Sequence, residues 1–389
     1  LEGKTTAQIN GTAVSAASLD VTSDHTAKMN TLGVAVGASE VGVGIGVSVL
    51  NENSETAAKV TDADINMSKE DSQVTIKANN HTKVNYQLYN GGGGLVGVAG
   101  SIGVSNVNSK VNTTVEDTSI GQQAANTEEI EGAAKNIQIS AENDIDFTNN
   151  SGTVGGGAVG VGVGVAVNTI DSQVQTRVDR AELHASGAID VSANETRKVN
   201  QLALNAQAGS VTGGANIMIT NVGKTVDSVY GSNLQTNADG EVQGDGGVNT
   251  DKIYTEANDA ITENQFQSSY TLGAVSKDDS SAFDSATAGK GSEKSIVQVA
   301  VDSSTLDTKG KVALTTEETT EVKMNGINAS ASVNGSVSGT VGILGVHRNS
   351  SVEVTSSSIH ASELDAKANV NGKSDLNIYQ GTVGGVASI

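Results

Sequence analysis

One six-residue pattern recurs seven times along this chain: a branched aliphatic, two variable positions, a small residue, one more variable position and a second aliphatic. It reads Val60-Thr61-Asp62-Ala63-Asp64-Ile65 in one copy and returns at 9–14, 115–120, 178–183, 229–234, 301–306 and 354–359. A pattern copied every ~50 to 70 residues points away from a single compact core and towards one structural unit stacked along an axis. Each copy reads as a first strand.

A second alternating run follows every copy, at 19–21, 74–76, 137–139, 189–191, 253–255, 312–314 and 364–366. Period-two alternation of branched aliphatics predicts a half-buried strand. Polar segments come next, as in Ala78-Asn79-Asn80-His81-Thr82 and Ala193-Asn194-Glu195-Thr196, and their Asn and Thr content predicts turns. The third component is a Gly-rich lane, sharpest at 158–167 and repeated at 41–49 and 95–104. Weaker copies occupy 213–219, 333–346 and 381–389, and a decayed one lies at 272–275. One side of each lane carries Val and the other is nearly bare, so the bare side is expected to pack against another layer of the same molecule. A flat strip suited to self-association is the competing reading.

Helical spacing of apolar residues is rare, so the fold class expected is all-β. Parallel coils and antiparallel sandwich modules would both satisfy the strand pattern. Sandwich cores lean on aromatic pins, and aromatics make up 2% of this chain with no Trp. The expected architecture is therefore an elongated parallel β-solenoid, or β-helix, of about seven repeats. Approximate bounds are 4–54, 55–109, 110–172, 173–224, 225–292, 293–350 and 351–389, a single array over 1–389 read as a fragment of a longer chain. Whether each repeat makes one wide coil or two narrow ones stays open.

Asn, Asp and Ser cluster just after the lanes, at Asn51, Asn53, Ser54, Asn106, Asn108, Ser109, Asn168, Asp171, Ser172 and Asn221. Hydrogen-bonded ladders between coils and plain turn chemistry explain them equally well. With no Cys, neither disulfides nor thiolate chemistry can contribute. The formal charge of −21 disfavours nucleic acid and anionic membranes as partners. No helix-forming run is apolar enough to span a bilayer, so no direct membrane insertion by this segment is expected.

Function in repeat proteins tends to sit in insertions. The gap between first and second strands is long at 121–136 and 235–252, and both are expected at the same corner. Candidate binding-loop residues there are Glu128, Glu129, Glu131, Asp239, Glu241, Asp245 and Asp251. The stretch 235–247 hints at a Ca2+ loop, but it lacks the terminal bidentate Glu and the flanking helices, so no cofactor is expected. His25, His81, His184, His347 and His360 fall at scattered repeat positions, with no nucleophile elbow and no HExxH motif. No catalytic and no metal residues are assigned, and the segment is expected not to be an enzyme.

The run Gly155-Gly156-Gly157-Ala158-Val159-Gly160-Val161-Gly162-Val163-Gly164-Val165-Ala166-Val167-Asn168-Thr169-Ile170, followed by 178–183 and 189–193, resembles repeat regions of large exported proteins of Gram-negative bacteria. These include filamentous-haemagglutinin-like adhesins, autotransporter passengers and leukotoxins of the fusobacterial type. The resemblance recurs, with decay, along nearly the whole chain. It implies an extracellular or cell-surface passenger of β-helical build, secreted through an outer-membrane partner or its own barrel. It brings no catalytic residues. The implied role is an adhesive stalk whose partner is a receptor on a host or neighbouring cell, or another copy of itself. A toxin or contact-inhibition stem and a self-polymerising matrix or surface-layer scaffold are the alternatives.

Overall fold

The computed structural model describes residues 1–69, 71–123, 130–131, 133–223, 235–236, 242–243 and 295–385. Among them the chain is all β, and fourteen strands join one sheet whose pairings are parallel. The long strands are Glu2–Ala16, Leu19–Ala38, Val41–Met67, Gln73–Gly93, Val96–Glu116, Ala134–Asp179, Glu182–Val222, Lys311–Val346 and Glu363–Gly384. Shorter members are Ser119–Ile120, Ile296–Asp302, Thr305–Thr308, Ser350–Thr355 and Ser358–His360. Two small antiparallel pairs stand apart, Gln122–Gln123 with Ile130–Glu131 and Gln235–Thr236 with Val242–Gln243.

Register carries the chain through six parallel passes, one per repeat. The first aliphatic of the motif stacks as Ile9, Val60, Val115, Val178, Val301 and Val354. The second run stacks as Leu19, Val74, Ile137, Ile189, Val312 and Leu364. The arrangement is β-helix-like, with one wide pass per repeat. The fourth pass pairs directly with the fifth, Val178 with Val301, so no rung lies between them. The copy at 229–234 and its second run at 253–255 lie outside the described residues.

The recurring motif is strand with a corner at its centre, lying within Glu2–Ala16 and Val41–Met67 in the first two passes and split between two strands in the others. Its third residue has positive φ in all six described copies: Gly11, Asp62, Asp117, Arg180, Ser303 and Ser356. A single left-handed residue turns the chain between two short strands. The small fourth residue sits inside that corner, where Thr118, Ser304 and Ser357 hydroxyls donate to the carbonyls of Glu116, Asp302 and Thr355.

Two apolar cores result. The first lies within the short walls around the corner and is built from columns such as Val60, Ile65 and Ile76 with their stacked counterparts. The second lies between two long layers, with Val84, Phe147 and Val199 on one side and Leu50, Val107 and Ile170 on the other. Beyond it the two layers run on as a thin fin to the lane turns. There Gly42 and Gly44 face inward, as expected. A Cβ on Gly44 would stand 2.0 Å from the carbonyl oxygen of Gly91, and one on Gly42 equally close to that of Gly93. The layers approach backbone to backbone, so only Gly fits.

Candidate binding groove and the buried polar column beneath it

The polar segments predicted as turns lie inside continuous strands, at 79–81 in Gln73–Gly93 and 194–196 in Glu182–Val222. Stacking makes them rows along the axis. One outer row runs Asp24, Asn79, Glu142, Asn194, and the next but one runs Thr26, His81, Asp144, Thr196. Together with Lys198 they line a groove of about 520 Å³ whose floor is Asn80 and Asn143.

Contacts across passes hold the groove's side chains in place. Asn79 donates to Asp24 at 2.6 Å, His81 Nδ1 lies 3.0 Å from Asp144, and Lys77 and Lys83 pair with Glu142 and Asp146 at 2.7 and 2.8 Å. The Asp146 contact pushes the Lys83 ammonium above its ordinary range. Amides, carboxylates, an imidazole and an ammonium thus recur at the ~4.8 Å rung spacing of a sheet. Such a surface offers hydrogen bonds to an extended polar ligand lying along the axis.

The groove floor is also the top of a buried polar column between the two apolar cores. Asn80 donates to Ser109 at 2.9 Å and to Asn143 at 2.8 Å, Ser109 donates to Asn143 at 3.0 Å, and Asn143 donates to Glu195 at 3.1 Å. Ser172 also donates to Glu195. The column ends on Arg197, fully buried, which donates to Ser172 at 3.3 Å, to Ser295 at 3.0 Å, to Thr320 at 3.1 Å and to Glu318. Glu195 Oε2 lies 3.6 Å from the same guanidinium. Burial outweighs Arg197 and lifts the Glu318 carboxyl to about 7. Burial also pushes Asp171 up, despite its bonds from the Ser295 hydroxyl and the Ser172 amide.

Residues after the lanes therefore divide. Ser109, Asn168 and Ser172 are buried partners in cross-pass hydrogen bonds, Asn168 donating to Thr220 at 3.1 Å, whereas Asn51 is exposed.

The described sheet is interrupted at two different places. One is the motif corner, where the Gly121 amide bonds to the Ile65 carbonyl and the sheet resumes at Ala134. The other is the foot of the fin, where the Ser295 amide bonds to the Gly223 carbonyl at 3.2 Å across 71 intervening residues, 224–294. Glu128, Glu129, Asp239, Glu241, Asp245 and Asp251 lie outside the described residues. Glu131 is described in its backbone alone, paired with Gln122. Among the described residues no group of three or more His, Asp or Glu is placed to hold a metal ion.

Comparison with family models, curated proteins and solved structures returned no match.

Proposed function

We propose that this chain is a non-enzymatic structural and adhesive stalk segment of an exported bacterial cell-surface protein. In this reading the six passes are coils of a β-solenoid, and the groove over Asn80 and Asn143 contacts a polar ligand on a host or neighbouring cell. The observation that carries it is the parallel register, in which each described repeat adds one rung and presents the same outer positions. Rungs at ~4.8 Å make a rod that lengthens with repeat number and needs no disulfide to fold progressively. Its resemblance to exported adhesin repeats supports the location and the secretion route.

The test is adhesion of beads coated with the whole chain to epithelial and bacterial cells, beside beads carrying Asp144→Ala with Lys198→Ala. Binding that the double variant loses, with an unchanged circular dichroism spectrum, is the expected result. Failure of coated beads to adhere to any cell surface would remove the adhesive half of the reading. Globular particles in negative-stain images would remove the rod.

A further inference from the structure

The fin is inside-out. Its interior carries amides and hydroxyls that bond within it: Asn205 to the Gly162 carbonyl at 2.9 Å, Asn328 to the Gly339 carbonyl at 2.8 Å, and Ser336 to Ser330 at 2.6 Å. The outward positions towards the tip are apolar, while the row before them, Leu32, Gln87, Asn150, Leu202, Asn325 and Asn377, is mostly amide. On the outer face of the Leu19–Ala38 layer, one row reads Val34, Tyr89, Gly152, Leu204, Ile327 and Tyr379 across the six passes. The two rows beyond it hold only Val, Ala and Gly. This face is open: Leu32 is 68% exposed, Val36 75% and Val154 60%.

Charge stops at the fin's edge in every pass. Residues 84–109, 147–170, 199–223 and 324–346 contain no Asp, Glu, Lys, Arg or His, and 29–51 contain only Glu40. The boundary is a charged row, Lys28, Lys83, Asp146, Lys198, Glu321 and Lys373, with Lys323 and Asp375 one outward row further on in the fifth and sixth passes. Among the described residues the excess of acidic charge therefore lies on the body, and Glu40 is the one charged group on the fin.

We propose that the open face of the fin packs against the same face of a second copy of this chain, sheet on sheet about a two-fold axis. A body of this charge repels its copy wherever charged surfaces meet, and the fin is where two copies can touch without that cost. Seven outward-spanning residues at ~3.3 Å by six rungs at ~4.8 Å give a face of roughly 700 Å², near the ~800 Å² per partner of a standard interface. Glycines along the rows flatten it for sheet stacking at ~10 Å or closer. Lipid fits less well, because insertion would drive the Glu40 carboxylate at the fin's tip deepest into hydrocarbon.

Sedimentation velocity of the whole chain across micromolar concentrations, in low and in high salt, tests this. A concentration-dependent dimer that tightens as salt screens the bodies is expected. Val36→Lys with Ala206→Lys, both at exposed outward positions, should weaken it by about tenfold or more in Kd with the thermal melt unchanged. The proposal is overturned by a wild-type chain that stays monomeric, by a double variant that dimerises like the wild type, or by a monomer that floats with phosphatidylcholine vesicles.

Discussion

The hydroxyl of Ser295 accepts a hydrogen bond from Arg197 at 3.0 Å across 98 residues of sequence. The same oxygen accepts from the Ser172 amide at 3.1 Å and donates to Asp171 at 2.8 Å. Ser295 is thus the residue on which the chain re-enters the sheet, fixed on the only buried guanidinium among the described residues. At this join the described stack has a hub that ties three passes together. Arg197→Met should destabilise the chain by roughly 3–5 kcal/mol, since it leaves Glu195 and Glu318 buried without their partner. Adding Glu195→Gln and Glu318→Gln should recover much of that loss, as judged by chemical denaturation at neutral pH.

The hub also sets a pH dependence. Glu318 faces Arg197 and Glu195, with Arg348 further off, and its folded pKa of about 7 stands above the ordinary 4.5. Between those values the folded state holds a proton that the unfolded state has released, so stability falls as pH rises through that window. Glu52, lifted to about 7 by burial, acts in the same direction, and so does Asp171. Asp117 and Asp365 are held low by Arg180 and by Lys367 with Lys311, and their contribution is lost only in more acid solution. The melting temperature should therefore be higher at about pH 5.5 than at about pH 8, and Glu318→Gln should flatten the difference. A profile that rises with pH instead would contradict the burial of Glu318.

The corners offer a test that does not depend on charge. Asp62 occupies φ 50° with an exposed side chain, and the equivalent residue of the first pass is Gly11. Asp62→Gly should leave stability nearly unchanged, whereas Asp62→Val should cost about 1–3 kcal/mol because a β-branched residue resists the left-handed region. Thermal melts of the two variants side by side separate backbone strain from loss of a carboxylate.

Much of this architecture can be read from residue order, and the parts that cannot share a physical cause. The all-β class and the inward glycines follow from patterns within about ten neighbours, and the repeat spacing from their return every ~50 to 70 residues. The corner within the motif is hidden in the residue order because its outer aliphatics, such as Val60 and Ile65, face one core whether or not the chain bends between them. Gly11, Asp62 and Asp117 carry a left-handed signal, but Arg180, Ser303 and Ser356 at the same position dilute it. Arg197 sits in Thr196-Arg197-Lys198, which looks like a solvated turn. Its burial depends on Ser295 and Glu318, brought in by a register that skips 123 residues. The groove was hidden likewise, since Asp24, His81 and Asp144 belong to three different passes.

Glycine in the lanes makes the sharpest prediction of all, because two glycines in the same layer should respond oppositely. Gly44→Ala would place a methyl 2.0 Å from the Gly91 carbonyl oxygen and 2.9 Å from that of Ala35, both backbone atoms that cannot swing away. The layers must part, which should cost about 1–3 kcal/mol and speed amide hydrogen exchange in 33–37 and 89–93. Gly335 occupies the same layer in the fifth pass, and a Cβ there meets nothing within 4 Å. Gly335→Ala should be neutral or stabilise by about 0.4–1 kcal/mol through the unfolded chain. Equal effects at the two sites would mean that the layers are not in backbone contact, and the inside-out fin would lose its structural basis.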